Sequence, residues 1–205
     1  MIASLSGYVP NWIKEKIVGS PGHPSVMGNL LHTILNRLPG EPFPCLPCGG
    51  ILEGFRMRIE WSRFRAFAYG TWEPEVVRAM TQVVHEGFVA INVGGHHGYY
   101  GLILSRLVGP KGRVIVFEPI PSNFQILTEN IRLNHCANVE AVNKAVSDNS
   151  ARLDASPRNE EDSGTFSLLG SKIRQSIGVD AVSLDSFFAH GEGLGRTNQL
   201  YPDRC

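Results

Sequence analysis

Two rhythms of apolar and polar residues run through the central part of this chain. FVAINV (88–93) and RVIVFEP (113–119) are short apolar runs of strand length, and between them GYYGLILSRLVG (98–109) carries apolar residues at helical spacing and closes on glycine. SNFQILTENIRLN (122–134) predicts a second helix, opened by a capping box from Ser122 to Gln125, and VEAVNKAV (139–146) predicts a third strand-like run. Parallel neighbours cannot be joined by a tight turn, so this alternation points to right-handed crossovers and a parallel sheet. The fold class expected is α/β.

On the upstream side, MRIEWSRFRAFAYG (57–70) alternates in the manner of a strand. EPEVVRAMTQVVHEG (73–87) predicts a helix that starts at Pro74, ends at Gly87 and carries Val77, Met80 and Val84 on one face. Residues 1–50 are rich in Pro and Gly and form an N-terminal extension, with one helical patch (Val26, Leu30, Leu31, Ile34, Leu35, Leu38) behind a Ser25 cap. The stretch PGEPFPCLPCGG (39–50) reads as loop, because each proline removes a backbone donor. Downstream of Asp148, RLDAS (152–156), GTFSLL (164–169) and VDAVSL (179–184) predict short antiparallel strands, and LDSFFA (184–189) a helical turn. The tail, residues 190–205, has neither period.

Composition narrows the partners. Nineteen basic residues balance nineteen acidic ones, leaving no net pull toward nucleic acid or an anionic membrane. Four cysteines at irregular spacing (Cys45, Cys48, Cys136, Cys205) do not form a disulfide framework, and a reducing interior suits them. Cys45 and Cys48 make one C-x-x-C pair, whereas a structural zinc needs two further ligands. No signal peptide and no membrane-spanning run is present, so a cytoplasmic location is expected.

The densest chemistry lies in NVGGHHGYY (92–100), at the carboxyl end of the first apolar run. A glycine-rich turn there can hold a metal, a phosphate or a nucleoside. Adjacent histidines, His96 and His97, point in different directions and have no carboxylate or cysteine set near them in sequence, which disfavours metal. Gly94, Gly95 and Gly98 leave room for a ligand to approach the main chain, and Glu118, closing the next run, is placed to accept from both ribose hydroxyls. A dinucleotide fingerprint needs glycine where His96 stands, so NAD is disfavoured. S-adenosylmethionine carries no phosphate and tolerates that side chain.

Five segments in order resemble the FkbM family of S-adenosylmethionine-dependent methyltransferases: NVGGHHGYY (92–100), GRVIVFEP (112–119), NIRLN (130–134), VEAVNKAVSD (139–148) and SLDSFF (183–188). YGTWEPEV (69–76) is similar to a sixth, upstream segment. The resemblance implies a Rossmann-like class I methyltransferase fold over residues 51–189, with an incomplete parallel sheet and a small antiparallel excursion. It implies that Gly94, Gly95 and Gly98 line the methionine end of S-adenosylmethionine, that Glu118 binds the ribose, and that Ala145 approaches the adenine. Asn92 replaces the family's usual Asp and His96 its usual Asn, so both belong to the expected cofactor set. No residue is named as general base.

After SLDSFF the family continues with a K-I-D-V-E-G strand, which residues 190–205 lack. The chain reads as a version truncated before that segment. The first strand is then expected to keep an open edge, through which self-association becomes feasible. The function implied is methyl transfer, O-directed, to a small molecule or glycan. The alternatives are an inactive fragment that keeps a partial nucleoside-binding or partner-binding surface, and a nicotinamide-dependent enzyme.

Overall fold

The computed structural model describes residues 43–45, 49–157, 166–167 and 176–189. The helical patch of residues 25–38, Cys48, Cys205 and the tail lie outside them. The chain divides into two compact units, residues 1–80 and 81–205.

In the first unit, β1 (Phe43–Cys45) pairs antiparallel with β2 (Met57–Ile59), and a 3-10 turn (Gly50–Leu52) lies between them. The strand at Phe43–Cys45 departs from the loop expected there. A two-stranded ribbon has only edges, and an edge position spares Pro44 the ladder bond that it cannot donate. A second departure is α1 (Trp61–Tyr69), a helix where alternation suggested strand. The segment satisfies both periods, and helix is favoured by the stop at Gly70. This glycine adopts φ 67°, with the Thr71 N–H donating to the Ala66 carbonyl at 3.0 Å and the Gly70 N–H to that of Phe67 at 3.2 Å. Phe64 and Phe67 stack one turn apart at 5.3 Å. The helix α2 (Pro74–Val83) starts at Pro74 as expected but ends short of Gly87, leaving Val84 just beyond it; Val77, Met80 and Val84 are half-buried while Val76 and Val83 are exposed.

The second unit realises the predicted rhythm. β3 (Val89–Val93), α3 (Tyr99–Val108), β4 (Arg113–Phe117), α4 (Pro121–Leu133) and β5 (Val139–Val142) alternate, and the strands form a parallel sheet in the order β3-β4-β5. β4 is buried on both faces, which is why RVIVF reads as a continuous apolar run. Val116 meets Gly95 and Gly101 on one face, while Ile115 and Phe117 pack with Val182 and Phe187 on the other. α4 starts one residue before the expected Ser122. Pro121 occupies its first turn, Ile120 is the N-cap, and no side-chain cap bond forms, so the capping box is not used.

The third run splits. Asn143 and Lys144 break it into β5 and β6 (Ala145–Val146), and β6 pairs parallel with β9 (Ile177–Val182) in a second sheet of order β6-β9-β7-β8. β7 (Arg152–Pro157) pairs antiparallel with both β9 and β8 (Phe166–Ser167), as the downstream pattern suggested. The closing helix α5 (Leu184–Ala189) is capped by Ser183, whose hydroxyl accepts the Ser186 N–H at 3.1 Å. Among the described residues no strand pairs with the outer edge of β3, and Val89, Ile91 and Val93 on it are exposed. No helix among the described residues is long and apolar enough to cross a membrane.

Asn138 joins the end of α3 to the start of β5. Its amide donates to the carbonyls of Ser105 (3.0 Å) and Gly109 (2.9 Å), and its oxygen accepts from the Ser105 hydroxyl (2.7 Å). Asn138→Ala leaves partly buried groups without partners, so it is expected to lower unfolding free energy by about 1–3 kcal/mol, read as a lower urea midpoint at unchanged m-value.

Candidate functional site

Between β3 and α3 the chain turns through Gly94–Gly98, and nearly every peptide of the turn has a fixed partner. The N–H groups of Gly94 and Gly95 both donate to the Phe117 carbonyl, at 2.9 and 2.8 Å. That of His96 donates to Glu118 Oε2 at 2.7 Å, and that of Gly98 to the Gly95 carbonyl at 2.8 Å. The His97 carbonyl accepts from the Asn130 amide of α4 at 2.7 Å. β4 and α4 thus hold the turn from two sides.

Glu118 is 4% exposed. Its other oxygen, Oε1, accepts the Ile120 N–H at 2.9 Å and faces the Asn123 amide at 3.5 Å. Burial pushes its carboxyl above the ordinary carboxylate value, against the pull of the Ile120, His96 and Asn123 donors. The carboxylate that closes the second strand is therefore in direct contact with the turn that follows the first. Asn143 adds a tie behind it, donating to the carbonyls of Glu118 (2.8 Å) and Pro119 (3.1 Å).

The glycines divide by what a side chain would meet. A Cβ on Gly95 would lie 2.2 Å from Val116 Cγ1, and one on Gly98 2.8 Å from Leu127 Cδ1, so these two let the turn sit down on β4 and α4. A Cβ on Gly94 meets nothing within 4 Å, with φ at 80°. Of the three, Gly94 is the one that borders open space. Beside it, Asn92 is half-buried and its Oδ1 is a buried acceptor that has no donor among the described residues.

His96 adopts φ 49°, the left-handed region where Asn is more at ease than His. This turn brings the two imidazoles together with ring centroids 4.0 Å apart, which corrects the expectation that the two histidines point in different directions. Two imidazoles supply at most two ligands, and no group of three or more His, Cys, Asp or Glu suited to a metal occurs among the described residues. Ala145 is 2% exposed and packs with Ile120, Ala155, Val179 and Ala181 in the core of the second unit. Its side chain is thus committed to that core.

Sequence reading missed Asn123 and Asn130. The buried stripe of α4 consists of Asn123, Leu127, Asn130 and Ile131, and two amides on an otherwise apolar stripe were the available signal.

A sequence model of the methyltransferase FkbM domain matches residues 92–201, more than half of the chain. The chain belongs to the FkbM methyltransferase family. The match starts at Asn92, the first residue of the glycine turn, and runs beyond the SLDSFF segment into residues 190–201. A protein-L-isoaspartate O-methyltransferase from Methanothrix thermoacetophila is 31% identical over 71 residues, and this chain spans 34% of that relative's length. Among solved structures, a SAM dependent methyltransferase from Aquifex aeolicus is 26% identical with a TM-score of 0.32, covering 40% of this chain and 43% of that one. A SAM-dependent O-methyltransferase from Thermotoga maritima is 21% identical with a TM-score of 0.32, covering 38% and 31%.

Two measurements probe the FkbM-domain turn. Gly95→Ala forces a methyl into Val116 and is expected to cost about 1–3 kcal/mol in urea unfolding, whereas Gly94→Ala costs only the strain of its positive φ, about 1 kcal/mol. The second concerns Glu118. Its folded carboxyl titrates above the ordinary value of 4.5, so the stability it contributes is present below that pH and lost as pH rises through the raised value. Stepped-pH unfolding should show wild type losing stability relative to Glu118→Gln over that window.

Proposed function

We propose that this chain grips S-adenosylmethionine between the Gly94 turn and Glu118, and that its reaction is transfer of the methyl group to an oxygen of a small molecule or glycan. The carrying observation is the direct bond between the two halves of the site, Glu118 Oε2 and the His96 N–H at 2.7 Å. FkbM membership supplies the reaction class.

The residues present fit the group. Asn92 Oδ1, buried and without a donor among the described residues, suits the ammonium of the methionine end. Gly94 offers a main-chain surface free of side chains. Glu118 already accepts from His96, Ile120 and, at 3.5 Å, Asn123, yet an ionised carboxylate has about four lone-pair sites, leaving capacity for a ribose hydroxyl. S-adenosylmethionine would supply a methyl carbon on a positively charged sulfur. The acceptor oxygen forms the new C–O bond as the C–S bond breaks, sulfur keeps that electron pair and leaves as the neutral thioether S-adenosylhomocysteine, and the acceptor hydroxyl gives up its proton. The chain's part is to align and to exclude water, since charge disappears in the step and position contributes most of the acceleration. Ala145, packed in its own core, contributes the shape of the wall near Ile120 in this reading and no polar contact.

Titration calorimetry with S-adenosylmethionine and S-adenosylhomocysteine is expected to show saturable heat for both. Glu118→Ala removes charge-assisted bonds worth about 1.5–3 kcal/mol, a loss of about 10- to 100-fold in affinity. Absence of heat with either ligand at about 1 mM, or NADH binding that S-adenosylhomocysteine fails to displace, would sink the proposal.

A further inference from the structure

The peptides of His96 and His97 fasten the glycine turn, one through Glu118 Oε2 and the other through the Asn130 amide, and neither bond uses an imidazole. The two rings lie against one another, with centroids 4.0 Å apart and planes tilted by 32°. His97 is 4% exposed and His96 is half-buried, so the His96 ring is the outer member of the pair. Its backbone sits at φ 49°, a region that glycine adopts without strain, so an imidazole at this place calls for a reason beyond the geometry of the turn.

The bonding of the turn locates that outer ring. Gly95 and Gly98 sit against Val116 and Leu127, whereas Gly94 borders open space. His96 stands two residues after Gly94 and its N–H reaches Glu118 at 2.7 Å, so it spans the interval between the two ends of the site. On the reading under Proposed function, on which this inference rests, the methionine end lies at Gly94 and the ribose at Glu118. Sulfur is the atom that joins those two parts of S-adenosylmethionine.

We propose that His96 reads the charge on that sulfur and sets the choice between S-adenosylmethionine, whose sulfur is positive, and S-adenosylhomocysteine, whose sulfur is neutral. A neutral imidazole leaves the sulfonium unopposed, whereas a protonated one sets two like charges close together. Histidine is the side chain that changes charge near neutral pH. Two rings in contact do not both take up a proton, and burial disfavours the charged form of His97, so the proton goes to His96. Among the described residues, β4 brings Glu118 to the pair, α4 brings Leu127 and the Asn130 amide, and α3 opens with the phenols of Tyr99 and Tyr100. Glu118, with its raised carboxyl, is the other group there that takes up a proton on acidification. Acidification thus turns a site that takes the methyl donor into one that holds the spent product.

Titration calorimetry of the full chain with each ligand, from about pH 5.5 to 7.5, tests this through the ratio of the two Kd values. The ratio cancels the contacts of the ribose and methionine ends, which both ligands share. In wild type, Kd for S-adenosylmethionine relative to S-adenosylhomocysteine is expected to rise at least about tenfold on acidification. In His96→Asn, which suits the left-handed backbone and takes up no proton, the ratio is expected to stay level, with His96→Gln as a second neutral variant. Retained binding of S-adenosylhomocysteine shows that a variant is folded. If neither ligand binds wild type, the cofactor reading itself fails. If both bind and the wild-type ratio stays constant, that reading stands and the role of His96 is overturned. A ratio that shifts equally in wild type and in the neutral variants assigns the effect to Glu118 and also overturns it.

Discussion

The organisation of the second unit turns on one buried carboxylate. Glu118 reaches from the end of β4 to the amide of His96 with one oxygen and to the amide of Ile120 with the other. The first contact fixes the turn after β3, and the second fixes the start of α4. A neutral side chain of similar shape, such as glutamine, has only one accepting oxygen to offer two N–H donors. Burial makes ionisation costly, and the three donors recover part of that cost, which leaves the group with a raised titration point.

Most of the second unit was legible in the sequence because its signals are local. Apolar runs of strand length, helical spacing between them and glycines at the joints each record a physical requirement within a few residues. The alternation β3-α3-β4-α4-β5 and the antiparallel strands β7 to β9 followed from that pattern. Within the segment 57–70, Met57–Ile59 is a strand as expected, but residues 61–69 were misread because they satisfy both periods, and the deciding feature, a left-handed stop at Gly70 that also lies against Gly49, involves a residue distant in sequence. The run 139–146 was misread as one strand because its break depends on Asn143 reaching back to carbonyls of Glu118 and Pro119.

The site was legible in its outline and not in its division of labour. Sequence spacing marked Gly94, Gly95, Gly98 and Glu118 as a set, and the turn and the carboxylate are joined. Spacing could not tell that Gly95 and Gly98 face Val116 and Leu127 while Gly94 faces open space, since that depends on side chains contributed by β4 and α4. Nor could it assign Asn130, whose role exists only once α4 lies against the turn.

The break at Asn143 also ties two sheets to one anchor. One amide grips the carbonyls of Glu118 and Pro119, and two residues later the chain enters the core of the other sheet at Ala145. A shift of β6 away from β5 therefore pulls on the backbone of Glu118 itself, the residue whose carboxylate holds the central turn.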